Sequence, residues 1–401
     1  MKVVFVTPYG FNPRLRNFVE YIIARLLAKH HYHVTAFAKP ESNESAYIYS
    51  DGIHIYKPKS FIYGAVRLLT HLIFQRPDVV HVFNLRNNHL GILAALTARI
   101  LRIPLLTTEY GLLHDHYLTT DREDPLPYEE KTNWGGPILS FWKIFRTIHW
   151  ISNLKNYLFH IPLVLADKII FVSQHNLDIA KRLGLTHSQY LPYLFDEKIW
   201  KLDTDKDNPQ GMSQQRIEKY KDKKCILFVG QLKLRKGWDI ILEALPHINP
   251  SIASHLIFIT GSSETEIPEI TQKIERLGLR DRIVFFGRVE NEIMKRAYEI
   301  SSIIVVPSRY EGFGLSTIEA WAIQKPVVAS DVIAINEHVI NGVNGLLVPP
   351  KDPQALALAI IQVLQDQKLH TTLIQGGSTA FQQLTSPEIQ QQWLDLYSQY
   401  K

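Results

Sequence analysis

Two acidic residues flank a glycine-containing stretch in the C-terminal half of the chain. The stretch PSRYEGFGLSTIEA spans residues 307–320, and its acidic residues are Glu311 and Glu319. It follows a short apolar run and leads into a helical pattern. Gly312 and Gly314 allow a close approach to a ligand, and the free N–H groups of a helix start favour a phosphate or sugar hydroxyls. The alternative is a tight turn in which Glu311 caps the helix.

The spacing of the two carboxylates predicts how they share a ligand. Glu311 precedes the helix, whereas Glu319 is expected roughly two turns into it. A carboxylate accepts two hydroxyl groups well, because it offers two acceptor oxygens in one plane. We therefore expect the two residues to hold separate parts of one elongated ligand.

A second strand, loop and helix start lies upstream, in the stretch FVGQLKLRKGWD of residues 228–239. Its loop carries Lys233, Arg235 and Lys236. Cations held in place lower the barrier to the departure of a diphosphate, which carries concentrated negative charge. Solvated surface charge is the alternative for such a loop. The presence of both loops in one half of the chain favours a functional site over solvated surface charge.

Composition limits the classes of protein to consider. The chain has 401 residues, 46% of them hydrophobic, which predicts two or three soluble domains. Its one cysteine, Cys225, cannot form an internal disulfide, and no signal peptide or apolar stretch of bilayer length is apparent, so a cytoplasmic location is expected. The net charge of +5 and the absence of a continuous basic stripe argue against nucleic-acid binding.

Apolar, β-branched runs alternate with helical patterns in both halves of the chain. This alternation predicts an α/β protein with two doubly wound, Rossmann-like domains that face a cleft. The predicted segments are an acceptor-side domain at 1–195, a linker at 196–224, a donor domain at 225–380 and a final helix at 381–401. The final helix has an apolar stripe and is expected to pack on the N-terminal domain.

Residues 225–352 resemble the donor domain of glycosyltransferase family 4, also called the group 1 retaining glycosyltransferases. The most specific part is the pair Glu311 and Glu319 at its spacing, with Pro307-Ser308 before it and Pro326-Val327 after it. Further residues of the same pattern are Gly230, Lys236-Gly237, Gly261, Gly287, Glu337 and the run at 342–349.

The resemblance implies a GT-B fold and a nucleotide-diphospho-sugar co-substrate, UDP- or GDP-linked, with no bound metal and no other cofactor. The acceptor would be a glycan or a lipid-linked molecule, as in polysaccharide or glycolipid biosynthesis. Lys236 would neutralise the diphosphate, Glu311 would hold the sugar, and Glu319 would bind the ribose. The other donor-binding residues implied are Gly230, Gln231, Arg235, Gly287, Arg288, Gly312, Phe313, Gly314, Leu315 and Ser316.

Four departures from the family pattern bear on the details. Gln231 stands where an arginine is usual, so that Arg235 or Lys233 must supply the missing charge. The first loop lacks the paired glycines and carries Arg14, which either contacts a phosphate or faces solvent. Tyr110 stands where a histidine is common, with His114 nearby as a substitute. The last departure is Asp331-Val-Ile-Ala-Ile335, which lacks a glycine pair.

Residues 138–158 form an aromatic, basic helical pattern within a stretch that contains no acidic residue from Lys131 to Ala166. Such a helix either lies at an anionic membrane surface near a lipid-linked acceptor or packs against the fold. Two other functions stay open from the residues alone. They are a sugar-nucleotide epimerase of similar shape and a non-catalytic sugar-nucleotide or glycan-binding module.

Overall fold

A computed structural model describes residues 1–8, 11, 18–39, 45–84, 88–110, 158, 161–182, 184–196, 212–260 and 268–401. These residues form two compact units. Unit 1 holds the described residues up to Asp196 together with those from Leu384 onward, and unit 2 holds those from Met212 to Gln383. Each unit is built on its own sheet.

Apolar, β-branched runs form the strands of both units. Unit 1 contains β1 (Lys2–Thr7), β2 (His33–Ala38), β3 (Tyr47–Ser50), β4 (Ile53–Tyr56), β5 (Val79–Phe83), β6 (Leu105–Glu109), β7 (Lys168–Phe171) and β8 (Ser188–Tyr190). Unit 2 contains β9 (Cys225–Val229), β10 (His255–Ile259), β11 (Ile283–Gly287), β12 (Ile303–Val306), β13 (Val327–Ser330) and β14 (Leu346–Val348).

Helices alternate with these strands along the chain. They are α1 (Val19–Lys29), α2 (Phe61–Gln75), α3 (His89–Leu101), α4 (Gln174–Arg182), α5 (Met212–Glu218), α6 (Trp238–Ala244), α7 (Pro268–Arg276), α8 (Asn291–Ile300), α9 (Leu315–Ala322), α10 (Pro353–Gln365), α11 (Gln367–Leu384) and α12 (Pro387–Ser398).

The strand order of each sheet reverses once. The sheet of unit 1 runs β3-β4-β2-β1-β5-β6-β7-β8, and only the β3–β4 pair is antiparallel. The sheet of unit 2 runs β11-β10-β9-β12-β13-β14 and is parallel throughout. The prediction of two doubly wound α/β domains is therefore confirmed. In such sheets ligands bind outside the carboxyl ends of the strands where the order reverses, between β1 and β5 in unit 1 and between β9 and β12 in unit 2.

The last helix, α12, packs within unit 1 through the apolar stripe of its sequence. Trp393 and Tyr397 are fully buried there. The Trp393 indole donates to the carbonyl of Pro192 at 3.0 Å. The Tyr397 hydroxyl lies 2.6 Å from Nδ1 of His81, in the middle of β5. A buried imidazole needs such partners, because an unpaired polar group in the core destabilises the fold.

Some elements differ from the sequence-based expectation. The region after Pro353 forms three helices, α10 to α12, where the pattern indicates one helical tail. The pattern did not predict β3, β4 or α2. In α2 the outward-facing positions include the apolar Ile62 and Phe74 as well as the polar Arg67 and Thr70.

Candidate active site

The two loops singled out by the sequence leave neighbouring parallel strands of unit 2. The basic loop follows β9 and the glycine loop follows β12, and these strands pair directly, with Ile303 opposite Ile226. Both loops therefore lie at the same edge of the sheet, at its point of reversal. The fold itself brings the two groups of charges together.

A buried ion pair connects the two loops. The Glu311 side chain is 6% exposed, and its Oε1 atom accepts hydrogen bonds from the Lys236 ammonium group and, at 2.7 Å, from the Ser308 hydroxyl. Arg235 Nη1 lies 3.5 Å from the other carboxylate oxygen. Burial alone would raise the pKa of Glu311, but Lys236 and Arg235 outweigh it and hold that pKa below its ordinary value. The carboxylate is therefore ionised, and two basic side chains lie against it.

These contacts decide how Glu311 is used. Its carboxylate binds side chains of the basic loop, whereas α9 begins at Gly314 without a side-chain cap. The helix-capping alternative for Glu311 is therefore wrong. Glu319 is the fifth residue of α9, a little more than one turn into the helix, so the expectation of two turns is corrected.

A second set of bonds fixes the basic loop. Arg309 binds both carboxylate oxygens of Asp239, at 2.8 and 2.7 Å, and donates to the Leu234 carbonyl at 2.6 Å. Gly237 lies at the start of α6 with φ +71°, and a Cβ atom there would lie 1.8 Å from the Pro307 carbonyl oxygen. The backbones of the two loops touch, so that only glycine fits.

Glu319 belongs to a separate contact of the same site. It is 6% exposed and accepts a hydrogen bond of 2.7 Å from the hydroxyl of Tyr298, which is fully buried on α8. Burial, followed by the charge of Glu319, raises the pKa of Tyr298 well above its ordinary value, so this hydroxyl keeps its proton and stays a donor. Glu319 also attracts Lys236. Tyr298 thus orients the carboxylate without neutralising it.

The glycine loop ends in a left-handed turn. Gly314 has φ +83°, and an added Cβ would lie 3.0 Å from Ile335. The Ser316 hydroxyl donates to the carbonyl of Val229 at the end of β9, at 3.2 Å, which holds the first turn of α9 against the neighbouring strand. Next to this turn the Phe313 ring stacks on the ring of His338, with centroids 5.2 Å apart.

His338 is a site residue that sequence analysis missed. Its Nε2 atom is buried and has no hydrogen-bond partner among the described residues. Burial lowers its pKa to about 4, so the ring is neutral near pH 7. Ser308, Tyr298 and the Arg309–Asp239 pair were missed as well, because no spacing in the sequence shows which side chains meet the carboxylates.

The remaining predicted donor residues lie along the same sheet edge. The Gly230 amide donates to the carbonyl at the end of β10, at 3.0 Å, and Gly287 closes β11 with φ +64°. Gln231 and Arg288 are exposed. Gly312 and Leu315 are half-buried beside the carboxylates. Within the described part of the chain, no three His, Cys, Asp or Glu side chains form a cluster that could hold a metal ion.

Unit 1 contains its own buried carboxyl group at the point where its sheet reverses. Glu20 on α1 is 4% exposed and lies 3.5 Å from the hydroxyl of Thr7 at the end of β1. Burial raises the pKa of Glu20 to about 7, although hydrogen bonds from its own backbone amide and from Thr7 partly offset it. The Tyr110 hydroxyl is buried, and burial and the charge of Glu20 raise its pKa well above the ordinary value. A carboxyl group of this kind can gain or lose a proton near neutral pH.

Sequence analysis proposed Tyr110 on the acceptor side but missed Glu20. A signal existed, because Glu20 stands in a helix whose neighbouring turns, at Ile23, Ala24 and Leu27, are all apolar. Arg14 and His114 lie outside the described residues. So does the predicted membrane segment 138–158, apart from Leu158.

The sequence of the site matches a known family. The family described as "Glycosyl transferases group 1" matches residues 211–379, which include both loops of the site. Residues 211–379 therefore carry the sequence pattern of the group 1 glycosyltransferases. This confirms the resemblance that the loop residues indicated, at the level of group 1.

Relatives of this chain cover different shares of it. An uncharacterized glycosyltransferase of Methanocaldococcus jannaschii is 37% identical over 145 residues, which is 36% of this chain and 37% of that protein. The D-inositol 3-phosphate glycosyltransferase of Xylanimonas cellulosilytica is 27% identical over 337 residues, 78% of each. The chain thus spans little more than a third of the first relative's length.

Solved structures extend the likeness to the whole fold. The Anabaena protein HepE, solved in complex with UDP and glucose, is 18% identical and has a TM-score of 0.72, with all of both chains covered. At this identity the likeness shows the fold, which is that of the GT-B glycosyltransferases.

Replacement of Gly237 tests the contact between the two loops. We expect Gly237→Ala to lower the free energy of unfolding by at least about 2 kcal/mol more than Gly278→Ala does. Both glycines have positive φ, but a Cβ atom at Gly278 would meet nothing within 4 Å. Urea denaturation measures both losses, and equal losses would show that the Pro307 carbonyl does not restrict this position.

The raised pKa of Glu20 predicts a pH dependence of stability. Because folding raises this pKa from 4.5 to about 7, the stabilisation by the protonated group is complete below pH 4.5 and is lost as the pH rises through 7. We therefore compare the free energy of unfolding of the wild type with that of Glu20→Gln. The advantage of the wild type should fall by roughly 2–3 kcal/mol between pH 5 and pH 8. Urea denaturation at both pH values measures this difference. The exposed Glu269→Gln serves as the control, and a pH-independent difference for Glu20→Gln would contradict a buried, protonated carboxyl group.

Proposed function

We propose that this glycosyltransferase moves a sugar from a nucleotide-diphospho-sugar, UDP- or GDP-linked, to a glycan or lipid-linked acceptor. The proposal includes retention of the anomeric configuration and no requirement for a bound metal. The observation that carries it is the ionised Glu311, held by Lys236 and Arg235 at the reversal point of the sheet in unit 2. Here a sugar-binding carboxylate and diphosphate-binding cations lie side by side.

Each side of this ion pair suits a different part of the donor. The positive charges of Lys236 and Arg235 suit the diphosphate and would lower the barrier to its departure. Arg235 also supplies the positive charge that Gln231 lacks, because it lies near the Glu311 carboxylate. In the reaction, the bond from the anomeric carbon to the diphosphate breaks, the acceptor oxygen bonds to that carbon, and the acceptor hydroxyl loses its proton.

Glu319 suits the ribose of the nucleotide. Its carboxylate is oriented by Tyr298 and lies in α9, the helix that follows the glycine loop. The amides of residues 312–316 are proposed to bind the sugar and the phosphate, with Gly230, Gln231, Gly287 and Arg288 around the rest of the donor. Of the two proposed donors, UDP-linked and GDP-linked, the complex of HepE with UDP and glucose supports the UDP-linked one.

The acceptor side is proposed to lie in unit 1. Its sheet carries Glu20 and Tyr110 where the strand order reverses, and a carboxyl group with a pKa of about 7 suits the exchange of a proton with an acceptor hydroxyl. Arg14 and His114 stay predicted members of this side. The predicted use of residues 138–158 at an anionic membrane also stays a prediction, as does a cytoplasmic location.

A panel of nucleotide-sugars tests the donor. A bound donor raises the melting temperature by mass action, so a UDP- or GDP-linked sugar should raise it more than the free nucleotides of other bases do. Transfer is then measured as nucleotide release that requires an acceptor. Tight donor binding without any release, even with acceptors of several classes, would favour a non-catalytic binding module.

Glu319→Gln tests the ribose contact with little change in shape. We expect the Kd for the donor to rise about tenfold or more, because a charge-assisted hydrogen-bond acceptor is lost. Isothermal titration calorimetry measures the change. The matched control is Glu299→Gln, which removes a carboxylate from an ion pair with Arg296 at 3.0 Å on α8. A folded Glu319→Gln variant with unchanged donor affinity would remove Glu319 from the site.

A further inference from the structure

The outward face of α2 in unit 1 is apolar. Ile62 and Phe74 are 76% and 78% exposed, which is far more than a large apolar side chain in a packed helix normally shows. The other exposed apolar residues on this side of the helix are Tyr63, Val66 and Ile73. We call this set the α2 face.

The helical spacing shows that the α2 face is not an extension of the core. The buried side of α2 is formed by Gly64, Leu68 and Leu72, at intervals of four residues. Ile62 and Val66 recur at the same interval on the opposite side. A surface helix normally presents polar residues there, so the apolar residues of the α2 face require another explanation than packing within unit 1.

Neighbouring elements extend the α2 face. Arg67, at its edge, lies over the ring of Tyr56 at 4.6 Å, and Tyr56 in turn lies 5.1 Å from the ring of Tyr47. Tyr47 and Tyr49 belong to the edge strand β3 and are 45% and 63% exposed. Tyrosines with an apolar ring and a polar tip are enriched where a protein meets the headgroup zone of a membrane.

The charge of this region has one sign. From Gly52 to Thr108 the sequence contains a single acidic residue, Asp78, and its carboxylate accepts a hydrogen bond from the Lys2 amide. The same stretch contains seven basic residues, of which Lys59, Arg67 and Arg76 are exposed on α2 or next to it, whereas Lys57 is buried. An apolar face with exposed cations and almost no acids is complementary to a surface that is apolar inside and negatively charged outside.

We propose that the α2 face docks unit 1 on an anionic membrane surface, with α2 lying in the plane of the interface. Its 15 residues extend only about 22 Å, which is too short to cross a bilayer. No helix in the described part of the chain is long and apolar enough to span one. Ile62, Val66 and Phe74 enter the boundary of the acyl chains, while Lys59 and Arg76 attract anionic headgroups.

This surface belongs to unit 1, whereas the donor site belongs to unit 2. It does not depend on the proposed transfer reaction, although it would bring the enzyme to a lipid-linked acceptor. Donor binding is measured in solution and vesicle binding is measured without donor. Either experiment can therefore contradict its own proposal without affecting the other.

The test is flotation of the full chain with vesicles of equimolar phosphatidylcholine and phosphatidylglycerol. We expect the double variant Ile62→Ser with Phe74→Ser to lower the vesicle partition coefficient by about tenfold or more. Lys59→Gln and Arg76→Gln should each lower it by about fivefold. Binding should also weaken in high salt and on vesicles of phosphatidylcholine alone.

The matched control is Ile340→Ser with Leu358→Ser, two residues of unit 2 that are 61% and 68% exposed. This variant should bind vesicles as the wild type does. Circular dichroism and donor affinity, expected to be unchanged in both double variants, report that they are folded. Equal binding by both double variants, or equal binding to neutral and anionic vesicles, would overturn the proposal. A wild-type dimer that the α2 double variant abolishes, without any vesicle binding, would also overturn it and assign the α2 face to a second copy of the chain.

Discussion

The site of unit 2 depends on one buried carboxylate. Glu311 is almost fully buried, and an isolated ionised carboxylate at such a position would destabilise the fold severely. Lys236 and Arg235 compensate it, and they can do so only because β9 and β12 are adjacent and parallel. The ion pair therefore ties the positions of the two loops to the order of strands in the sheet. In the proposed reaction the donor diphosphate shares these cations with Glu311. Before the donor binds, Glu311 keeps the cations paired and in position.

The close approach of the backbones makes this pairing possible. Gly237 lets the chain pass directly against the Pro307 carbonyl, and the two bonds from Arg309 to Asp239 hold the basic loop in that position. Lys236 is the residue before this glycine, so its direction is set by the turn at Gly237. The geometry of the charged groups thus follows from steric limits on the backbone rather than from the charges alone.

Sequence analysis found those residues whose type and spacing carry the signal. The alternation of apolar runs with helical patterns was enough for two doubly wound domains, and Glu311, Glu319 and Lys236 stood out by their places around glycines. Tyr298 was not predictable, because it contacts Glu319 from another helix and lies 21 residues away. Glu20 was recognisable in principle as a charge on an apolar helix face. Its raised pKa, however, depends on burial that only the packed unit shows.

The α2 helix shows the opposite limit of sequence patterns. Periodicity can identify a helix, but it does not show which residues of the outward side stay exposed, and in α2 these include the apolar Ile62 and Phe74. An exposed apolar face favours association, and acidic residues are the substitution that most improves solubility. The stretch around α2 has almost none of them and carries cations instead. The sequence around α2 thus lacks the residues that would best keep such a face soluble, and it contains residues that attract phosphate headgroups. This is the composition expected of a surface that contacts lipid.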